Sequence, residues 1–528
     1  MATNTPSDDP RPRTAVIDIH THTFNARYLP LRGILLGKRD AKPPYTWLIS
    51  DAAAGLIADA VTGHTALSEV PGHAGEERTI GTQEMRRTRH PGWLSGVLLG
   101  LIDKAETKAV WDRSRSFRDR LRSVDQVASN MTSIEKIAVR SAAEMMGMGD
   151  HIQGGNKTRD TVSGVQAAVR FIWTLTLADG DLPRLYREMH AGPATQGPIT
   201  LVSHMMDLGP VYDQCADGTT LLDLPSQQIP RLEHFQAQPD SDMLYFVAYN
   251  PYRDHPDRCP SPGALDIVRD AITAHGAKGV KVYPPSGYRP AGNDVVDRPH
   301  PSGTRYPGRQ WDARYLGFGP TKRAQDEGLD ASLEQLLLWC MTNDIPVFAH
   351  SGYGEFEARK CYGVHHSDPK FWGRFLEAHS APGKPCPLRL CLGHAGGEDY
   401  WFGNGEHEDW GLRAYDLCTR YPNVYCEVTT SDALLDPARQ AFFIDRLASR
   451  FAESDAAALA SAHETPRFRF ATKLMYGTDW PLPDQGEPAA VLSATQKTFL
   501  HPLLVRHFGD YFSGNARRYL RMYPISGR

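Results

Sequence analysis

Eight short apolar runs, spread along a chain of 528 residues, constrain the fold more than any other feature of the sequence. They span residues 14–19, 199–203, 243–249, 278–283, 345–349, 388–393, 423–428 and 473–477, each rich in Val, Ile, Leu, Phe or Tyr. Continuous apolar runs suit parallel strands buried on both faces better than alternating ones do. Helical patterns lie between most of them. Pro262 to His275 carries Leu265, Ile267, Val268, Ala271 and Ile272, with Pro near its start and Gly276 just past its end. Ser332 to Thr342 carries Leu333, Leu336, Leu337 and Cys340 at helical spacing. Eight strands alternating with helices predict an α/β fold, a (β/α)8 barrel of the TIM type. No repeat of fixed period is present, which argues against a solenoid.

Two connections are too long for ordinary barrel loops. Residues 1–13 are polar and proline-rich and read as a disordered tail, followed by the first strand region at 14–29. Residues 30–195 then form a large, mostly helical insertion, with Ser133 to Met146 and Val162 to Thr176 among its helical patterns. It follows a strand, so it is expected on the catalytic face as a lid. Residues 196–528 hold the rest of the barrel. Within them Ser286 to Gly328, rich in Pro, Gly and Arg, reads as a long irregular loop.

Composition excludes several classes. With 58 basic and 62 acidic residues there is no global reason to expect nucleic acid. No apolar stretch is long enough for a transmembrane helix. The eight cysteines (Cys215, Cys259, Cys340, Cys361, Cys386, Cys391, Cys418 and Cys426) include no CxxC pair, and several lie within apolar runs. That pattern points to free thiols in a reducing, cytoplasmic setting. Arg86 to His90, followed by the apolar Trp93 to Ile102, reads as the solvated start of a buried insertion helix, with a membrane-surface contact as the alternative.

Chemistry gathers at the strand ends. The first run closes in His20-Thr21-His22, the fifth in His350, the sixth near His394 and the eighth in Thr478-Asp479; the fourth contains Lys281. One HxH is expected roughly 0.8 times by chance in such a chain, so its position matters more than its presence. Strand alternation would put Asp18, His20 and His22 on one face, at the end of the strand where barrel active sites form. An Asp closing a strand can also cap the next helix, which is the competing role for Asp479. Three imidazoles and a carboxylate suit Zn²⁺ or another divalent first-row ion.

These segments together resemble the amidohydrolase superfamily. They are Ile17-Asp18-Ile19-His20-Thr21-His22, Gly279-Val280-Lys281-Val282-Tyr283-Pro284, Val347-Phe348-Ala349-His350-Ser351-Gly352, Leu392-Gly393-His394-Ala395-Gly396-Gly397 and Tyr476-Gly477-Thr478-Asp479-Trp480-Pro481. The resemblance is greatest to the amidohydrolase-related branch, which includes aminocarboxymuconate semialdehyde decarboxylase, and it covers residues 14–24 and roughly 200–525. Phe512 to Leu520 is similar to the helix that closes those barrels. The resemblance implies that His20, His22, His350 and Asp479 ligate one divalent ion, usually zinc. It implies that His394 acts on the water as general acid or base, with Asp479 sharing the proton transfer. Lys281 is either an unmodified lysine or a carbamate that, with His394, holds a second metal.

Tyr249, Arg253, Tyr283, Tyr353, Arg359 and Glu427 follow the strand ends and are the expected substrate contacts. The function so implied is a metal-dependent hydrolase that attacks an amide, ester or lactone carbonyl with activated water. The alternatives are non-oxidative decarboxylation or hydration of an unsaturated or aromatic acid, and a non-catalytic assembly or membrane-surface role. A small-molecule substrate and a second copy of the chain are the expected partners.

Overall fold

The computed structural model describes residues 15–24, 28–29, 68, 70, 116–133, 135–136, 161–190, 198–209, 224–239, 241–254, 263–293, 322–353, 364–403, 408–429, 432–461, 465–481 and 488–522. The N-terminal tail, Arg86 to Ile102, Arg359, Cys215, Cys259 and Cys361 lie outside them. The elements and contacts of the fold and of the site are those of the described residues.

Eight parallel strands form one sheet in sequence order: β1 (Val16–Thr21), β2 (Ile199–His204), β3 (Met243–Tyr249), β4 (Gly279–Val282), β5 (Val347–His350), β6 (Leu390–Gly393), β7 (Val424–Thr429) and β8 (Leu474–Gly477). The ends of β8 and β1 meet through a parallel bridge between Thr21 and Trp480. His22 N–H donates to Trp480 O at 2.6 Å, and Asp479 N–H donates to His20 O at 2.7 Å. The sheet is thus a nearly closed (β/α)8 barrel.

Three helices lie between β1 and β2: α1 (Phe117–Asn130), α2 (Thr161–Thr176) and α3 (Leu182–His190). Ser116 caps α1 by accepting from Asp119 N–H. Arg170 of α2 forks onto both oxygens of Asp125 in α1, at 2.8 Å each. The remaining helices alternate with strands. They are α4 (Leu224–Gln236), α5 (Ala264–Thr273), α6 (Lys322–Thr342), α7 (Pro369–Ala378), α8 (Glu398–Phe402), α9 (Glu408–Arg420) and α10 (Pro437–Ala460). After β8 come α11 (Pro488–Phe499) and α12 (Asn515–Leu520). One expectation changes here. The end of the segment read as irregular loop, from Lys322 onward, belongs to α6. Lys322 to Glu327 favour helix, and Gly328 within it costs only about 1 kcal/mol.

Alternation along the strands sorts side chains into two cores. Val280, Val282, Val347, Ala349, Leu390, Leu392, Val424, Cys426, Leu474 and Tyr476 face outward and pack in the shell that includes the helices. Ile17, Ile19, Val202, Phe246, Phe348, Cys391, Tyr425 and Met475 face inward. Ala516 and Tyr519 of α12 join that inner cluster. Asn515 Nδ2 donates to Ala471 O and Leu474 O, tying α12 to the start of β8. The five cysteines described, Cys340, Cys386, Cys391, Cys418 and Cys426, are free and buried. No described helix is long and apolar enough to cross a membrane.

The insertion is fastened to the barrel by a buried ion pair. Arg231 of α4 engages both oxygens of Asp179, which precedes α3, through Nε and through Nη2 at 2.8 Å. Asp179 also accepts from Tyr28 OH at 3.1 Å and Ser68 N–H at 3.0 Å. Removing one partner of a buried pair leaves the other charge uncompensated, at about 3–5 kcal/mol. Arg231→Met should therefore lower unfolding stability by about that amount. A urea midpoint shift worth less than about 1 kcal/mol would show that the pair does not fasten the insertion.

Candidate metal centre

The inward parity that builds the inner core also aims polar groups into the C-terminal mouth. Lys281 of β4, His350 of β5, and Glu427 and Thr429 of β7 share the face of the inner apolar residues. β1 follows a different course. Its pairing with β2 shifts register between Asp18 and Thr21. Such a shift re-aims the next side chain. Asp18, before the shift, keeps the outward parity of Val16 and faces the helical shell, where Tyr186 OH reaches it at 2.6 Å. His20 instead turns inward, its ring centroid 4.6 Å from that of Phe348. The expectation that Asp18, His20 and His22 share one face is corrected by this shift.

His20, His22 and Asp479 converge, each offering one ligand atom within 4.8 Å of the others. Asp479 Oδ1 lies 3.0 Å from Nε2 of His20 and 3.0 Å from Nε2 of His22. The other ring nitrogens are committed. His22 Nδ1 is 2.8 Å from His204 O, and a carbonyl can only accept, so Nδ1 carries the proton. His20 Nδ1 is 2.7 Å from Glu427 Oε1 and donates to it. Neutral, both rings then point unshared pairs at a carboxylate oxygen. A cation among the three atoms reconciles them. Lys281 Nζ, 3.0 Å from His20 Nε2, supplies one positive charge at this point. A second proton on His22 is opposed, because burial pushes its pKa down despite the neighbouring Asp479. The donor set therefore fits a divalent metal ion. The hydrogen bonds behind it are those that orient histidine ligands.

His350 and His394 form a second pair. His350 Nε2 is 3.2 Å from Gly352 O, and its Nδ1 is 3.0 Å from His394 Nε2. Burial lowers the His350 pKa to about 3 and puts that of His394 well below its ordinary value. His394 Nδ1 lies 2.6 Å from Thr429 Oγ1, which is 3.3 Å from Glu427 Oε1. His394 N–H donates to the same Glu427 oxygen at 3.1 Å. His394 Nε2 is 3.9 Å from Asp479 Oδ2, which links the pair to the first cluster. Backbone strain sits at both groups: φ is +63° at His394, +45° at Ala395 and +56° at Asp479. At Gly396 a Cβ would stand 2.4 Å from the backbone of Trp410, so only glycine fits that turn.

The expected substrate contacts separate. Tyr283 lies at the site, its ring 4.8 Å from that of His350. Glu427 is fully buried behind His20 and His394, where it orients rather than lines. Tyr353 stacks on Trp410 at 4.5 Å. Tyr249 OH donates to Ser332 O at 2.9 Å, and Arg253 grips Asp207, with Nη2 2.7 Å from Oδ1. Those two polar ends are thus engaged within the protein.

Sequence reasoning missed His204. It closes β2 as the other histidines close their strands, and its ring Nε2 is 2.7 Å from Ile19 O while its own carbonyl holds His22. The strand drawn one residue short, at 203, left that signal unread. Tyr186 carried no comparable signal.

The amidohydrolase family model matches residues 236–522, more than half of the chain. No curated protein matches significantly. Among solved structures, 5-carboxyvanillate decarboxylase from Novosphingobium aromaticivorans, in complex with manganese and a nitrobenzoic acid, is 12% identical. It has a TM-score of 0.39, with 76% of this chain and 93% of that chain covered. An amidohydrolase from Burkholderia multivorans with bound HEPES is 14% identical, with a TM-score of 0.35 and coverage of 61% and 83%. Overlaps of this quality decide neither reaction nor metal. The family match extends from the last residue of α4 to just past α12 and includes Lys281, His350, His394, Glu427 and Asp479. The chain belongs to the amidohydrolase family.

Proposed function

We propose that this chain is a metal-dependent hydrolase acting on an amide, ester or lactone carbonyl of a small molecule. The observation that carries the reading is the pair of unshared imidazole electron pairs aimed with Asp479 at one point, their protons fixed by Glu427 and the His204 carbonyl. His20, His22 and Asp479 would hold the ion, with His350 completing the set. Zinc is the metal such an imidazole-rich set favours. When bound, the ion supplies Lewis acidity, polarising a carbonyl and making water a stronger acid.

The protein's own groups would manage the proton. If its Nδ1–H donates to Thr429, and Thr429 in turn to Glu427, His394 would keep an unshared pair at Nε2, the atom 3.0 Å from His350 Nδ1. Burial keeps the ring neutral, so it begins the reaction as a base. Nε2 can take the proton from attacking water and return it to the leaving nitrogen or oxygen. Lys281, read as an unmodified ammonium, balances the charge of Asp479. Tyr283 would line the mouth beside His350. The insertion at 30–195, fastened through Asp179, would serve as the lid that selects the substrate.

Elemental analysis of protein purified without added metal or chelator should find about one zinc per chain, lost in the His20→Ala/His22→Ala double variant. Two metals per chain would instead make Lys281 a carbamate ligand. None, even after supplementation, would sink the metal mechanism. The reaction is tested by a panel of amides, esters and lactones run beside aromatic acids. Hydrolysis without CO₂ release is expected, and CO₂ release alone would replace the hydrolase with a decarboxylase. Glu427→Gln should weaken metal affinity by about 10- to 100-fold, measured by competition with a chromogenic chelator, because His20 loses its anionic acceptor. Unchanged affinity would remove Glu427 from any orienting role.

A further inference from the structure

The insertion touches the barrel at a second point. Its helix α3 carries Tyr186, which is 1% exposed and donates to Asp18 Oδ2 at 2.6 Å. Asp18 is fully buried in β1. Thr478 Oγ1 donates to the same oxygen at 2.6 Å, and Thr478 N–H donates to Oδ1 at 3.1 Å. His20 N–H also donates to Oδ1, at 3.1 Å. One carboxylate therefore holds the backbone of His20 on β1 and the residue before Asp479, in the turn after β8. Thr478 Oγ1 accepts from Trp480 N–H at 3.2 Å, so the strained Asp479 is bracketed by residues tied to this anchor. Asp479 N–H donates to His20 O, which closes the ring of contacts.

Each Asp18 oxygen accepts two of these hydrogen bonds, so the side chain is held by four donors at once. In a site sealed from water each donor counts, because a buried charge with too few partners is costly. Three of the donors come from β1 and from the turn after β8, and the fourth comes only from the insertion. Tyr186 is placed for that role by its own packing: its ring lies 5.5 Å from Trp480 and 3.9 Å from His190, whose Nδ1 donates to Tyr186 O at 2.8 Å.

We propose that Tyr186 is a positioning residue, supplied by the insertion, that fixes His20 and Asp479 at metal-binding separation through Asp18. The inference rests on the metal-centre reading above. It makes the insertion a component of the metal site as well as its cover.

The test is metal affinity in Tyr186→Phe, which keeps the ring and removes only the hydroxyl. Zinc affinity is read by chelator competition, and ligand geometry by the visible spectrum of the Co²⁺-loaded protein. The expected result is a loss of affinity of about 10- to 100-fold with an altered Co²⁺ spectrum. Tyr245→Phe is the control. Its hydroxyl donates to the His275 carbonyl at 2.7 Å, away from the metal centre, so its affinity and spectrum should match the parent. If Tyr186→Phe does not fold, Thr478→Val removes a donor from the same Asp18 oxygen and should weaken zinc equally. Parent-like affinity and spectrum in Tyr186→Phe would overturn the proposal while leaving the metal centre intact. An equal loss in Tyr245→Phe would also overturn it, by assigning the effect to general destabilisation. A parent that binds no zinc would overturn this proposal together with the reading beneath it.

Discussion

A neutral imidazole has one proton to give, and at His22 the carbonyl of His204 takes it. That commitment decides the character of the whole mouth of the barrel. Once Nδ1 is spent, Nε2 presents an electron pair to a carboxylate, and the same holds at His20 through Glu427. Hydrogen bonds that would look ordinary in isolation thus leave a small, buried, electron-rich point. Such a point is unstable alone and well suited to a positive charge. Glu427 extends the same logic, because the oxygen that holds His20 also receives the backbone of His394 and the hydroxyl of Thr429. The orientations of His20, His394 and Thr429 are therefore referred to one carboxylate.

Space makes this arrangement reachable. The inner faces of the strands alternate bulky and absent side chains. At Gly477 an added Cβ would meet Glu427 Oε2 at 2.8 Å and His20 Cβ at 3.1 Å. At Gly393 it would meet Phe348 at 2.5 Å. The missing side chain on β8 is what lets a β7 carboxylate reach across to a β1 histidine.

Much of this architecture was legible in the sequence. The apolar run at 243–249 is β3 to the residue, and those at 345–349 and 388–393 contain β5 and β6 apart from the final His350. Parallel strands buried on both faces announce themselves as continuous runs, and a histidine closing one stands out against them. Less legible was anything set by geometry between strands. The register shift in β1 cannot be seen in Ile17-Asp18-Ile19-His20, so simple alternation put Asp18 with the ligands when it faces a helix. Arg253 and Tyr249 looked available because a sequence does not show that Asp207 and the Ser332 carbonyl claim them. Tyr186 sits 168 positions from the aspartate it touches, inside a segment with no family motif.

The order of the strands has a consequence for how the protein assembles. β2 through β8 each have a neighbour close along the chain, but β1 pairs with β2, which begins only at Ile199, and meets the chain after β8 through the Thr21–Trp480 bridge. Closing loops of that size costs more chain entropy than the pairings among β2 to β8, and contacts so distant in sequence slow folding. A chain in which seven strands had paired and β1 had not would already hold Asp479, Glu427 and His350. It would lack both histidines of the HxH. Metal capacity would then arrive with the last strand, so the bound ion would report that the barrel had closed.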